Sequence, residues 1–216
     1  MNVEVETIEI ASARGPVLAR FTAAETAPVS NASAVLLVGG ADGGFDGPAE
    51  ALYPTLVEDF AARGIASLRV DFRLHRFPND VAEGVHDLLA GLDWLAEHGV
   101  ARVVLIGHSF GGAVVIEGGV RASNIVAGVV TLATQTAGAE HVSMLAPRPI
   151  LLIHGREDTR LSPVCSERLY EYAGEPKELE LLDGATHSLR QARKVVRVRV
   201  REWACAVLAV EATEAR

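Results

Sequence analysis

Hydrophobic and polar positions change rhythm along the chain, and each change marks an element. Val3 to Ile10 alternates apolar and acidic residues, a period of two that predicts a half-exposed edge strand. Ala11–Pro16 reads as a turn and Val17–Phe21 as a second strand, so the chain opens with a hairpin. Beyond it, short apolar runs separate longer stretches with helical spacing. Ala34–Val38, Ile65–Asp71, Val103–Ile106, Ile125–Thr131 and Pro149–Gly155 read as buried strands. Glu178–Leu182 alternates and reads as a final edge strand. The intervening helices are equally legible. Ala49–Arg63 places Leu52, Leu56 and Phe60 on one face and stops at Gly64. A long helix, capped by Asn79 or Asp80, carries Val81, Val85, Leu88, Leu92 and Leu95 inward and ends at Gly99. Ala113–Ile116 suits a buried helix, and Ser162-Pro163 starts another that runs to about Gly174. This alternation predicts one α/β domain over residues 1–216, with a mostly parallel sheet covered on both faces.

The tail admits two patterns. Val196 to Arg201 alternates like a strand, and its arginines could form an anion patch. Val196, Val200, Trp203, Val207 and Val210 instead fall on one face of a helix, and a closing helix with a solvated basic side is the preferred reading.

Composition narrows the function classes. A chain of 216 residues, 49% hydrophobic and 22% charged, can bury the core of one globular domain. Its net charge of -8 gives no electrostatic basis for nucleic-acid binding, and no apolar run is long enough to span a bilayer. The first residues lack the basic and apolar regions of a secretory signal. Cys165 and Cys205 make neither a disulfide framework nor a metal site, which suits a reducing cytoplasm.

The chemistry lies in glycine-rich turns at strand ends. The Gly39–Pro48 loop has neither Gly-x-Gly-x-x-Gly nor the ending of a phosphate-binding P-loop, so it reads as backbone passing close to a reactive group. Gly107-His108-Ser109-Phe110-Gly111 joins an apolar strand to a helix, the setting of a nucleophile elbow. In so tight a turn, side chains two before and two after the serine would clash, hence Gly107 and Gly111. A serine hydroxyl needs a neutral imidazole to take its proton, and that imidazole needs a carboxylate to orient it. Asp158, after the Pro149–Gly155 strand, and His187, after the last strand, follow Ser109 in the Ser…Asp…His order. Glu157 is the immediate rival for the acid. His154 reads as packing or hydrogen-bonding locally and His108 as shaping the elbow, while His75, His86, His98 and His141 show no metal-ligand spacing.

With these three residues each following its own strand, almost the whole chain resembles the α/β-hydrolase fold. In finer texture it is similar to the dienelactone-hydrolase-like branch that lacks a cap. The Gly39–Gly44 loop also resembles those of acyl-CoA thioesterase and acyltransferase domains. The resemblance implies eight strands, mostly parallel, helices on both faces, no lid, and an oxyanion hole formed by the N–H groups of Phe110 and Ala41. Dienelactone hydrolases proper use cysteine where Ser109 stands, and many relatives begin the first loop with His-Gly where this chain has Gly39-Gly40. The implied activity is cleavage of small or short-acyl carboxylic esters through an acyl-enzyme, without metal or organic cofactor. Thioesterase or acyltransferase activity, and a non-catalytic ligand-binding homologue, are the alternatives. Only about sixteen residues, Ala133–Arg148, separate the strand after the elbow from the strand before the acid. The cleft should then be open, walled by the glycine loop with Asp42, by Arg73–Pro78, and by His108, His141 and Met144.

Overall fold

The computed structural model describes residues 3–24, 32–75, 80–122 and 124–214, with side chains through 209. Eight strands form one sheet: β1 (Glu6–Ile10), β2 (Val17–Thr22), β3 (Ala32–Val38), β4 (Ala66–Val70), β5 (Val100–His108), β6 (Val126–Leu132), β7 (Ile150–Gly155) and β8 (Lys177–Leu182). Their order is β1-β2-β4-β3-β5-β6-β7-β8. The β1–β2 and β2–β4 pairs are antiparallel and every later pair is parallel, so the opening hairpin and a parallel sheet both stand as the hydrophobic pattern indicated.

Strand alternation divides the core in two. Ala34, Leu36 and Val38 of β3 and Leu105 of β5 face α2 (Val81–Glu97) and α3 (Phe110–Arg121), meeting Val85, Leu88, Leu92 and Val114. Val35, Leu37, Val104 and Ile106 face the other way, toward α1 (Pro48–Ala61) and α5 (Arg193–Glu214). There they meet Leu56, Phe60, Val196, Val200 and Trp203. Strands apolar on both sides thus sit between two helical layers, as a parallel sheet requires.

Two details depart from expectation, and a third bears out one of two expected caps. Ala49, Glu50 and Ala51 have left-handed backbone (φ 56, 56 and 66), and the right-handed part of α1 follows them. Pro54 therefore falls in the first right-handed turn, where its missing N–H removes nothing. Second, the tail is helical, but its basic side is paired rather than solvated. Arg197 donates to both Asp59 oxygens at 2.7 and 3.0 Å, and Arg199 reaches Glu178 and Glu180. Third, Asp80 caps α2 by accepting from the Ala82 N–H at 2.8 Å, while the rival cap Asn79 lies outside the described residues. Between β6 and β7 there is only a short 3₁₀ helix, Val142–Leu145, and no cap domain is present among the described residues. No described helix is long and apolar enough to cross a membrane.

Candidate active site

β5 ends at His108 and α3 begins at Phe110, leaving Ser109 alone between them with φ 55, ψ -118. A left-handed φ is unfavourable for a residue with a Cβ, so surrounding bonds must hold it. The Ser109 N–H donates to Leu132 O at 2.8 Å, while its carbonyl accepts from the Gly112 N–H and the Thr134 hydroxyl. A Cβ on Gly107 would lie 2.1 Å from Gly111 O, and one on Gly111 would lie 2.2 Å from Gly39 O. The first contact is internal to the turn. The second shows that α3 presses against the end of β3, bringing the glycine loop beside Ser109.

Asp158 is buried and Glu157 exposed, so burial separates the two rivals. Each Asp158 oxygen receives two N–H groups. Oδ1 accepts from the backbone of Arg160 and Leu161 at 2.8 and 2.9 Å. Oδ2 lies 2.7 Å from His187 Nδ1 and 3.1 Å from His154 Nε2. Burial pushes the carboxyl up, but the Leu161 N–H, the His187 ring and the Arg160 N–H outweigh it and hold Asp158 below the usual carboxylate range. An ionised carboxylate only accepts, so His187 Nδ1 carries the hydrogen and Nε2 presents a lone pair. That Nε2 lies 3.0 Å from Ser109 Oγ.

His108 lies beneath this pair. Its Nε2 is 3.2 Å from the His187 carbonyl oxygen, to which it can only donate, and the two rings are 5.0 Å apart. Burial, followed by the neighbouring His187, brings its pKa down to about 4 from an ordinary 6.5, so the ring is neutral. The unfolded chain binds this proton near 6.5 and the folded chain only near 4. Stability from this group is therefore complete above 6.5 and is lost as pH falls toward 4. His154, lowered by burial, acts in the same direction. Thermal melts between pH 8 and 4 are expected to show Tm falling below pH 6.5. His108→Gln should flatten that fall, and an equally steep fall in the variant would contradict the assignment.

A cavity of about 180 Å³ opens over Ser109 and His187, bordered by Gly40, Ala41, Asp42, His108 and Arg160. Phe110, buried with its ring edge-on to Phe72, places its N–H in the first turn of α3, where leading N–H groups lack helical partners. Ala41 sits inside the Gly40–Gly43 turn, closed by a 3.0 Å hydrogen bond. Sequence reasoning missed what fixes this loop. Asp71, at the end of β4, accepts from the Gly44 N–H at 2.7 Å and pairs with His75 at 2.8 Å. It also missed Arg160 as a lining residue and His154 as a second imidazole on the acid.

Two expected wall residues are elsewhere. His141 does not border the cavity: the carboxylate of buried Glu117 takes both its backbone N–H and its Nδ1, at 3.1 and 2.9 Å. Met144 is 57% exposed, because the 3₁₀ turn directs Val142 and Leu145 inward and leaves Met144 outside. Of the Arg73–Pro78 wall, residues 76–78 lie outside the described residues. Among the described residues, no cluster of three or more His, Cys, Asp or Glu could hold a metal ion.

A family model described as the alpha/beta hydrolase family matches residues 34–205, from β3 to α5. The chain belongs to the alpha/beta hydrolase family. Among curated proteins, it is 32% identical over 108 residues to the uncharacterised protein YfhR of Escherichia coli (strain K12), covering 40% of this chain. The chain spans only 38% of that relative's length. Among solved structures, Est1E from Butyrivibrio proteoclasticus has a TM-score of 0.79 at 16% identity, over 94% of this chain and 99% of its own. Dienelactone hydrolase from Anabaena variabilis has a TM-score of 0.81 at 18% identity, over 93% and 96%. These likenesses are of fold. They agree with the eight-stranded, mostly parallel sheet described above.

Proposed function

We propose that this hydrolase cleaves carboxylic esters of small or short-acyl substrates through an acyl-enzyme on Ser109. The supporting observation is the continuous contact from Asp158 Oδ2 through His187 to Ser109 Oγ, at 2.7 and 3.0 Å. Ser109 attacks the carbonyl as His187 Nε2 takes its proton, and Asp158 stabilises the imidazolium. The N–H groups of Phe110 and Ala41 receive the developing oxyanion. His187 then gives the proton to the leaving alcohol, and water repeats the sequence to release the acid. Labelling with a fluorophosphonate, located by peptide mass, tests the nucleophile. Modification anywhere but Ser109, or ester binding with no acyl-enzyme burst, would overturn the proposal. Including acyl-CoA thioesters in the substrate panel separates ester from thioester preference.

The cavity's size carries a second expectation. At about 180 Å³ it is smaller than the roughly 300–1,000 Å³ of common ligand sites. Each buried methylene contributes about 0.8 kcal/mol, but only while there is apolar wall to bury it. Across esters of two to sixteen acyl carbons, kcat/KM should rise over the first few carbons and then level off. A rise continuing past about ten carbons would require a long apolar channel.

A further inference from the structure

His154 stands at the end of β7, four residues before Asp158, with no exposed surface. Its Nε2 is 3.0 Å from the Leu161 carbonyl oxygen and 3.1 Å from Asp158 Oδ2, and its Nδ1 is 2.7 Å from Ser166 Oγ. A carbonyl oxygen can only accept, so Nε2 carries the hydrogen and shares it between Leu161 and Asp158. Burial disfavours a second proton, so Nδ1 accepts from the Ser166 hydroxyl. Ser166 is itself fully buried in α4 (Val164–Tyr172). The tautomer is thus set at one end by the Leu161 carbonyl and at the other by the Ser166 hydroxyl.

One carboxylate oxygen therefore receives two imidazole N–H groups. Asp158 Oδ2 takes one from His187 at 2.7 Å and one from His154 at 3.1 Å. We propose that His154 is a positioning residue for the acid: it fixes Oδ2 toward His187 and draws off part of its negative charge, tuning how tightly Asp158 holds the His187 imidazolium. The proposal rests on the reading of Ser109, His187 and Asp158 given above.

The direction follows from the partners. Besides His154, Asp158 faces the N–H groups of Arg160 and Leu161 and the His187 ring, and His187 also faces His108, whose ring is neutral. The Arg160 guanidinium borders the same cavity. Removing the His154 N–H leaves Oδ2 with one fewer donor and a fuller charge. The imidazolium of His187 is then held more strongly, so His187 gives up its proton at higher pH. A purely structural role would lower activity without moving that midpoint.

The test compares His154→Leu combined with Ser166→Ala, which removes the ring and its otherwise orphaned hydroxyl, with His154→Gln, whose amide N–H can replace Nε2–H. Two readouts are taken from pH 5 to 9: kcat/KM for a short-acyl ester, and the His187 imidazole titration by NMR. In the double variant, both midpoints should rise by about half to one pH unit. His154→Gln should leave them near wild type. A folded double variant with unmoved midpoints would overturn the proposal. If it does not fold, Ser166→Ala alone loosens the ring and should move the midpoints the same way by less, and no movement again overturns it. The NMR midpoint does not need turnover. A wild-type protein without ester turnover but with the NMR shift would therefore sink the hydrolase reading while leaving the coupling of the two imidazoles intact.

Discussion

Replacing Ser109 with alanine is expected to lower kcat for ester hydrolysis by on the order of 10⁴- to 10⁶-fold. The loss is large because the attacking oxygen is removed outright, and Cys165 and Cys205, the only thiols, border no part of the cavity. Thermal melting should be nearly unchanged, since the Leu132, Gly112 and Thr134 hydrogen bonds that hold residue 109 are made to its backbone and survive the substitution. The serine side chain contributes only its hydroxyl contact to His187. Ser109→Gly makes a companion. It removes the Cβ at a φ of 55 and should be at least as stable as Ser109→Ala, by up to about 1 kcal/mol, and equally inactive. Near-original turnover by either variant would require another nucleophile.

Asp158→Asn should reduce kcat by on the order of 10³- to 10⁴-fold, while Glu157→Gln stays within about twofold. The asymmetry comes from hydrogen-bond polarity. Both Asp158 oxygens face only N–H donors, two each, so an amide NH₂ has no acceptable position. Placed at Oδ2, it forces His187 to present a lone pair at Nδ1, moving the hydrogen to Nε2 and leaving nothing to take the Ser109 proton. Placed at Oδ1, it opposes the Arg160 and Leu161 N–H groups at a cost of about 1–3 kcal/mol. Glu157 is exposed, and its N–H donates to Ala185 O whatever the side chain. Kinetics of the two variants at a fixed pH decide the matter, and the reverse ranking would assign the acid to Glu157.

The parts of this molecule legible in its sequence are those where one residue type answers one local demand. Gly107 and Gly111 could be read because a turn that tight excludes every other side chain, and Leu52, Leu56 and Phe60 because a buried helix face needs them at that spacing. Asp158 and Glu157 share chain order and loop, and burial supplies the physical difference between them. What stayed hidden is set by residues distant in sequence. Nothing around His141 indicates that Glu117, 24 positions earlier in α3, would take its ring. Asp71 reaches the glycine loop across 27 positions, and the left-handed run Ala49–Ala51 carries no glycine to announce it. That run is held from outside: the Ala49 N–H donates to Ser188 O at 2.8 Å, next to His187. The arginines of α5 are a further case, since a period of two in charge and a helical period in valine coexist there. Only the acidic partners on α1 and β8 decide which way the charges face.

The short connection between β6 and β7 has an evolutionary consequence. It leaves the sheet where Thr134 bonds the Ser109 carbonyl and is tied down again where His141 meets Glu117, with Ala137 exposed between these anchors. Lengthening an exposed loop held at both ends costs little, about 0.6 kcal/mol for each doubling. New residues inserted there would extend a loop that begins at Thr134, against the Ser109 backbone, without interrupting a strand or a helix. Selectivity in this molecule can therefore be rewritten by insertion at one place, while catalytic competence is inherited unchanged from the sheet below it.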